Sequence, residues 1–120
     1  MCRGVEENGV KKGYWTFYYS NGNPCMSGDF KNGFKDGSWT FYYDNGKQAY
    51  VADYANDTMC NRIFIFDTLG RLNRFGRMIN NKMNGRWYVI YQSDTLEGSF
   101  HFGDVYPELP KVNCKCNESE

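Results

Sequence analysis

The stretch GYWTFYYSNG, residues 13–22, returns as GSWTFYYDNG at residues 37–46. Further steps of 24 residues from Gly13 and Gly37 reach Asn61 and Gly85. Two positions on, the series reads Trp15, Trp39, Ile63, Trp87, and four positions on it reads Phe17, Phe41, Ile65, Val89. A turn glycine recurs at Gly22, Gly46 and Gly70, with Asp94 in the fourth copy. Small residues recur at Gly28, Ala52 and Gly76, giving way to Phe100, and two positions later stand Phe30, Tyr54, Met78 and Phe102. The head of the chain keeps the register, since CRGVEENGVKKG (2–13) aligns with MSGDFKNGFKDG (26–37). A fixed period of this kind decides the architecture before any single residue does. The expected organisation is one array over 1–108, made of a half repeat at 2–12 and full repeats at 13–36, 37–60, 61–84 and 85–108. A polar tail, 109–120, follows.

Within a copy, WTFYY and its relatives IFIFD and WYVIY are rich in aromatic and β-branched residues, which suit strands. The polar, glycine-bearing segments SNGN, DNGK and TLGR then read as tight hairpin turns. A second strand follows (CMSGDF, AYVADY, NRFGRM, GSFHF), then a loop carrying Asn32, Asn56 or Asn80, residues that tolerate a left-handed backbone. No segment holds a helical period over helical length. The fold class is therefore all-β: tandem β-hairpins of period 24 forming an elongated, twisted antiparallel sheet. One hairpin is marginal in water, and stacking supplies the missing apolar contacts. At about 4.8 Å per strand the array should reach roughly 40–45 Å.

Alternation assigns the faces. Trp15, Phe17, Tyr19, Trp39, Phe41, Tyr43, Ile63, Ile65, Trp87, Val89 and Tyr91 make the core face, with the small residues across from the large rings. The other face carries Thr16, Tyr18, Thr40, Tyr42, Val51, Phe64, Phe66, Phe75, Tyr88 and Ile90. It grows more apolar toward the third and fourth copies, as a covered surface or a binding patch would.

Chemistry is sparse. His101 aligns with Asp29, Asp53 and Arg77, an exposed row and not the setting of a general base. The glycines belong to hairpin turns and open no helix, so no phosphate cradle is expected. Asp29 and Asp53, one repeat apart, would lie about 10 Å from each other, too far for a retaining glycosidase pair. Five cysteines without a C-x-x-C pair make neither a disulfide scaffold nor a zinc ribbon, and Cys114-Lys-Cys116 reads as part of a polar end. Cys25 and Cys60 suggest a reducing compartment. With no signal-like or membrane-spanning run the expected location is cytoplasmic, the other reading being a trimmed lipoprotein starting at Cys2. No catalysis, cofactor or metal is expected.

Fourteen basic and fourteen acidic residues cancel, so no overall field draws nucleic acid, and no specific nucleic-acid partner is expected. A local cluster, Arg62, Arg71, Arg74, Arg77, Lys82 and Arg86, falls in the third copy and its borders.

The recurring G-x-W-x-x-Y/F-Y-x-N/D-G-K, with a glycine-centred second strand and an Asn-Gly loop, resembles the MORN repeat. It is most similar to the variant of bacterial MORN-variant (YwqK-type antitoxin) repeat proteins. The likeness covers essentially the whole chain and is strongest over residues 8–53. It is weakest in the third copy, where Asn61, Ile63 and Leu69 replace Gly, Trp and Asn. The resemblance implies a non-catalytic array that binds a protein partner, as an antitoxin or immunity protein does. The expected contact lies in the irregular third and fourth copies, through Phe64, Phe66, Phe75 and Tyr88 with Arg62, Arg74 and Arg77 for charge. The other reading is a structural scaffold, held at phospholipid or self-assembling as an edge-to-edge homodimer through the strand near Arg3 to Glu7.

Overall fold

The computed structural model describes the backbone at residues 2–90, 96–105, 109, 110 and 112. These residues form nine strands: β1 (Cys2–Glu7), β2 (Val10–Tyr18), β3 (Pro24–Lys31), β4 (Phe34–Tyr42), β5 (Gln48–Ala55), β6 (Thr58–Phe66), β7 (Leu72–Ile79), β8 (Lys82–Ile90) and β9 (Leu96–Val105). They lie in one open antiparallel sheet in chain order. Even-numbered strands start at 10, 34, 58 and 82, and the odd ones after β1 start at 24, 48, 72 and 96, so the sequence period is the structural period. The longest extent, 47 Å, is close to the length expected from strand spacing. Among the described residues no helix is long and apolar enough to cross a membrane. The side chains of Cys2, Tyr91, Asp94, Phe100, His101, Phe102, Cys114 and Cys116, to which expectations were attached, lie outside the described residues.

Where a loop was expected after the second strand of each copy, the chain turns in two residues. Asn8-Gly9, Asn32-Gly33, Asn56-Asp57 and Asn80-Asn81 all have positive φ at both positions. That geometry matches the right-handed twist of the flanking strands, and Asn and Gly reach it at least cost. The strands therefore run right up to the turn. At the other end Gly22 and Gly46 close their turns on the carbonyls of Tyr19 and Tyr43. Neighbouring copies are tied there by side chains: the Tyr19 hydroxyl donates to the Tyr42 carbonyl at 2.5 Å, and the Tyr43 hydroxyl to that of Phe66 at 2.7 Å. Asn21 and Asn45 donate onward in the same way to Asp44 and Thr68. The third copy has Asp67 and Leu69 at these places, neither of which can donate, so this ladder ends there. Asp67 instead accepts from the backbone of Arg71 and Leu69 and from the Arg71 side chain. The Arg71 backbone N–H is the first cause that holds its carboxyl below the usual range.

Each tryptophan lies over a glycine eleven residues earlier. A Cβ on Gly4 would come within 2.1 Å of the Trp15 ring, one on Gly28 within 2.3 Å of Trp39, and one on Gly76 within 2.4 Å of Trp87. The small residues do stand opposite the rings in register, as Trp15 to Gly28 and Trp39 to Ala52. It is the preceding strand, however, whose missing side chain makes room for each indole. Register breaks at these glycines in β1, β3 and β7, and after Ala52 in β5. The facing strands bulge at Gly13, Gly37, Asn61 and Gly85, all with positive φ. The bulge turns each indole N–H onto a carbonyl ten residues back: Trp15 to Val5, Trp39 to Asp29, Trp87 to Arg77. In the third copy the pair is Ala52 and Ile63, a small methyl under a shorter side chain, and Ile63 is still fully buried. Phe30 joins neighbouring indoles edge-on, and Phe41 stacks on Tyr50 at 4.3 Å. Leu109 and Val112 of the tail pack against this core half-buried.

Burial of the core tyrosines has a pH signature. The Tyr50 phenol is pushed up to about 12, by burial first and by Tyr19 second. Burial also raises Tyr54. The folded state favours the neutral phenol, so this stabilisation is complete below pH 10 and is lost as pH rises through about 12. For Tyr50 that amounts to about 2–3 kcal/mol. Circular dichroism should therefore show alkaline unfolding above pH 10, moved upward by Tyr50→Phe and further by adding Tyr54→Phe. An unmoved midpoint would rule out the buried phenols as the cause.

The two cysteines of the array, Cys25 and Cys60, differ in state. Cys25 is fully buried and disulfide-bonded, while Cys60 is a free thiol.

Candidate functional site

On β6, β7 and β8 the period-two alternation that buries Ile63, Ile65, Met78 and Trp87 sends their neighbours to the other face. Each strand delivers an aromatic residue and an arginine there, two positions apart: Phe64 with Arg62, Phe75 with Arg77, Tyr88 with Arg86. Register aligns the aromatics as a row, since Phe64 pairs with Phe75 and Phe75 with Tyr88. Their rings stack across the strands at 5.9 and 5.0 Å, with planes 24° and 20° apart. Arg62 pairs with Arg77, and the bulge of β8 at Gly85 carries Arg86 beside them. Together these six side chains line an open hollow of about 420 Å³. Upstream, the aromatic row continues as Arg3, Thr16, Ser27, Thr40 and Val51, so the aromatic character starts at Phe64.

Like charges facing one another across a sheet repel, and among the described residues that repulsion is relieved at the Arg62 end only. The Arg62 guanidinium lies 3.5 Å from Asp53, which also accepts from the Arg62 backbone. Exposed as this pair is, it is worth less than about 1 kcal/mol. Arg77 and Arg86 are exposed and have no ion pair among the described residues. Among the described residues the hollow therefore joins an apolar floor to positive charge that has no ion pair. Guanidinium groups beside aromatic rings equip it to bind anionic, partly apolar matter.

Of the residues expected to make the contact, Phe64, Phe75, Tyr88, Arg62 and Arg77 come together. Phe66 is on the same face but one row nearer the turn, opposite Leu72, outside the hollow. Arg74 does not belong with them. It pairs with Ile65 and Val89 on the core face, at the position that Met26 and Tyr50 occupy in earlier copies, and its charge acts on the Tyr43 hydroxyl. Adjacent strand residues point to opposite faces, so Phe75 and Arg74 cannot share one. Arg86 was counted in the basic cluster but not in the contact. The signal was available, because Arg86 stands one period after Arg62.

A larger hollow, about 670 Å³, lies at the N-terminal end between Glu7, Lys11, Lys12, Phe30 and Lys31. Two of its three lysines are answered in place, Lys12 by Glu7 at 3.0 Å and Lys11 by the Trp15 ring, so size alone does not favour it. Among the described residues, no group of three His, Cys, Asp or Glu side chains is placed to hold a metal. No family model matches the chain, and no curated protein matches its sequence.

Proposed function

We propose that the protein is a non-catalytic binding module that holds an acidic protein partner on the outer face of β6, β7 and β8. The observation that carries this reading is the pairing of Arg77 and Arg86, both without a counter-charge among the described residues, with the stacked Phe64, Phe75 and Tyr88. Buried aromatic anchors beside arginine are the residue types that concentrate binding energy at protein interfaces. The resemblance to MORN-variant repeats adds the antitoxin or immunity class as its specific form. A pull-down of the tagged protein from its own cells should recover one stoichiometric partner. Arg77→Ala with Arg86→Ala should lose it while leaving the circular dichroism unchanged, and raising the salt should weaken it. Full recovery by that double variant would move the binding surface elsewhere. The Cys25 disulfide supports placement in an oxidising compartment over the cytoplasm.

The second reading, a self-assembling scaffold, draws on one observation. β1 is an open edge with Val5 exposed beside Glu6 and Glu7. Such edges pair unless charge blunts them. Light scattering across a hundredfold range of concentration decides it, a constant monomer mass excluding assembly.

A further inference from the structure

Resting on that reading, we infer that the occupant of the hollow is an acidic amphipathic α-helix of the partner, lying across β6, β7 and β8. The ring spacings of 5.9 and 5.0 Å bracket the 5.4 Å rise of one helical turn, so three rungs match two turns. Apolar side chains at i, i+3 or i+4, and i+7 then fall on Phe64, Phe75 and Tyr88 in step. The arginine row runs parallel to the aromatic row, two residues away along each strand, or about 6.7 Å. Carboxylates flanking the apolar stripe of such a helix reach Arg77 and Arg86, which have no ion pair among the described residues.

The other modes fit less well. β6, β7 and β8 are interior strands with both edges paired, so an added strand has no free backbone to join. A strand laid across them would present same-face residues every 6.7 Å or so, falling out of step by the second ring. Single-stranded nucleic acid needs open ring faces on which bases stack, whereas these rings stack on one another and leave faces only at the ends of the row. A helix only two turns long is unstable alone, so it belongs to a folded partner or forms on binding.

The test is a displayed library of random 16-residue peptides, selected on the folded protein and counter-selected on Arg77→Ala with Arg86→Ala. Winners should carry an apolar i, i+3 or i+4, i+7 stripe flanked by Asp and Glu. Synthesised, they should gain helical circular dichroism on binding, and lose tenfold or more in affinity to the arginine double variant and to Phe75→Ala. Winners with period-two alternation or without acids overturn the inference, as does tighter Arg77-dependent binding of a thymidine 15-mer or of phosphatidylserine vesicles. A partner recovered by pull-down while the library yields no arginine-dependent winner rejects the helix and keeps the binding module. Failure of both experiments removes both.

Discussion

Gly28→Ala is expected to cost about 3 kcal/mol of stability, far more than one methyl group costs at most sites. The added Cβ would sit 2.3 to 2.5 Å from three atoms of the Trp39 indole, where no Cβ can remain. Trp39 is fully buried and cannot swing into solvent, so the ring must shift or the bulge must open. Overpacking of this kind costs about 1–3 kcal/mol. Displacing the indole also strains its 2.9 Å hydrogen bond to Asp29, and a buried donor without its acceptor costs about 1–3 kcal/mol more. The third copy shows the remedy, since Ala52 is matched there by Ile63. Trp39→Ile alone leaves a cavity and is expected to cost about 3 kcal/mol. Gly28→Ala combined with Trp39→Ile should cost clearly less than the two losses added together. Urea unfolding of the four proteins measures the coupling, expected at about 2 kcal/mol in favour of the double variant. Additive losses would show that ring and glycine do not compete for the same space.

Loss of the Cys25 disulfide is the second large effect. Cross-links of this kind contribute about 2–4 kcal/mol, chiefly by restricting the unfolded chain. Thermal unfolding in the presence of a reductant should therefore begin roughly 10 °C lower. Cys25→Ala separates the bond from the packing. Its position is that of Ala49 one period later, and Ala49 is fully buried in its place, so alanine fits the site. The variant should match the reduced wild type in stability and lose all response to reductant. Cys60→Ser should respond as the wild type does, since Cys60 is free. Equal stability of the wild type with and without reductant would mean that the bond holds nothing together. Iodoacetamide on the unfolded, unreduced chain offers a direct check, modifying Cys60 and sparing Cys25.

Much of this was legible in the chain. The period placed the strands, because each copy repeats the same alternation and the same turn residues. Even the irregular third copy could be read through its substitutions. Asn61 replaces a glycine whose left-handed backbone only asparagine or aspartate adopts with comparable ease. Ile63 replaces tryptophan where Ala52 replaces glycine, two changes that compensate in one space. The partial reading of the site has a traceable origin. Grouping basic residues by their nearness in sequence brought in Arg74, which alternation sends to the core face. Arg86 was in that group but was not carried into the contact, although the period puts it in the row of Arg62.

What the sequence by itself determined is the all-β array, its 24-residue repeat and the face that each strand residue takes. These follow from local rules, a two-residue alternation and turns requiring positive φ, which act over a few neighbours. Only the tertiary structure decided that each indole rests on the glycine of the preceding strand, because a bulge rotates the ring away from its direct cross-strand partner. Only there does Asp53 answer Arg62 and leave Arg77 and Arg86 without an ion pair among the described residues, and only there is Cys25 found in a disulfide. Those outcomes depend on distances between side chains far apart along the chain. Such distances exist only once the hairpins have stacked.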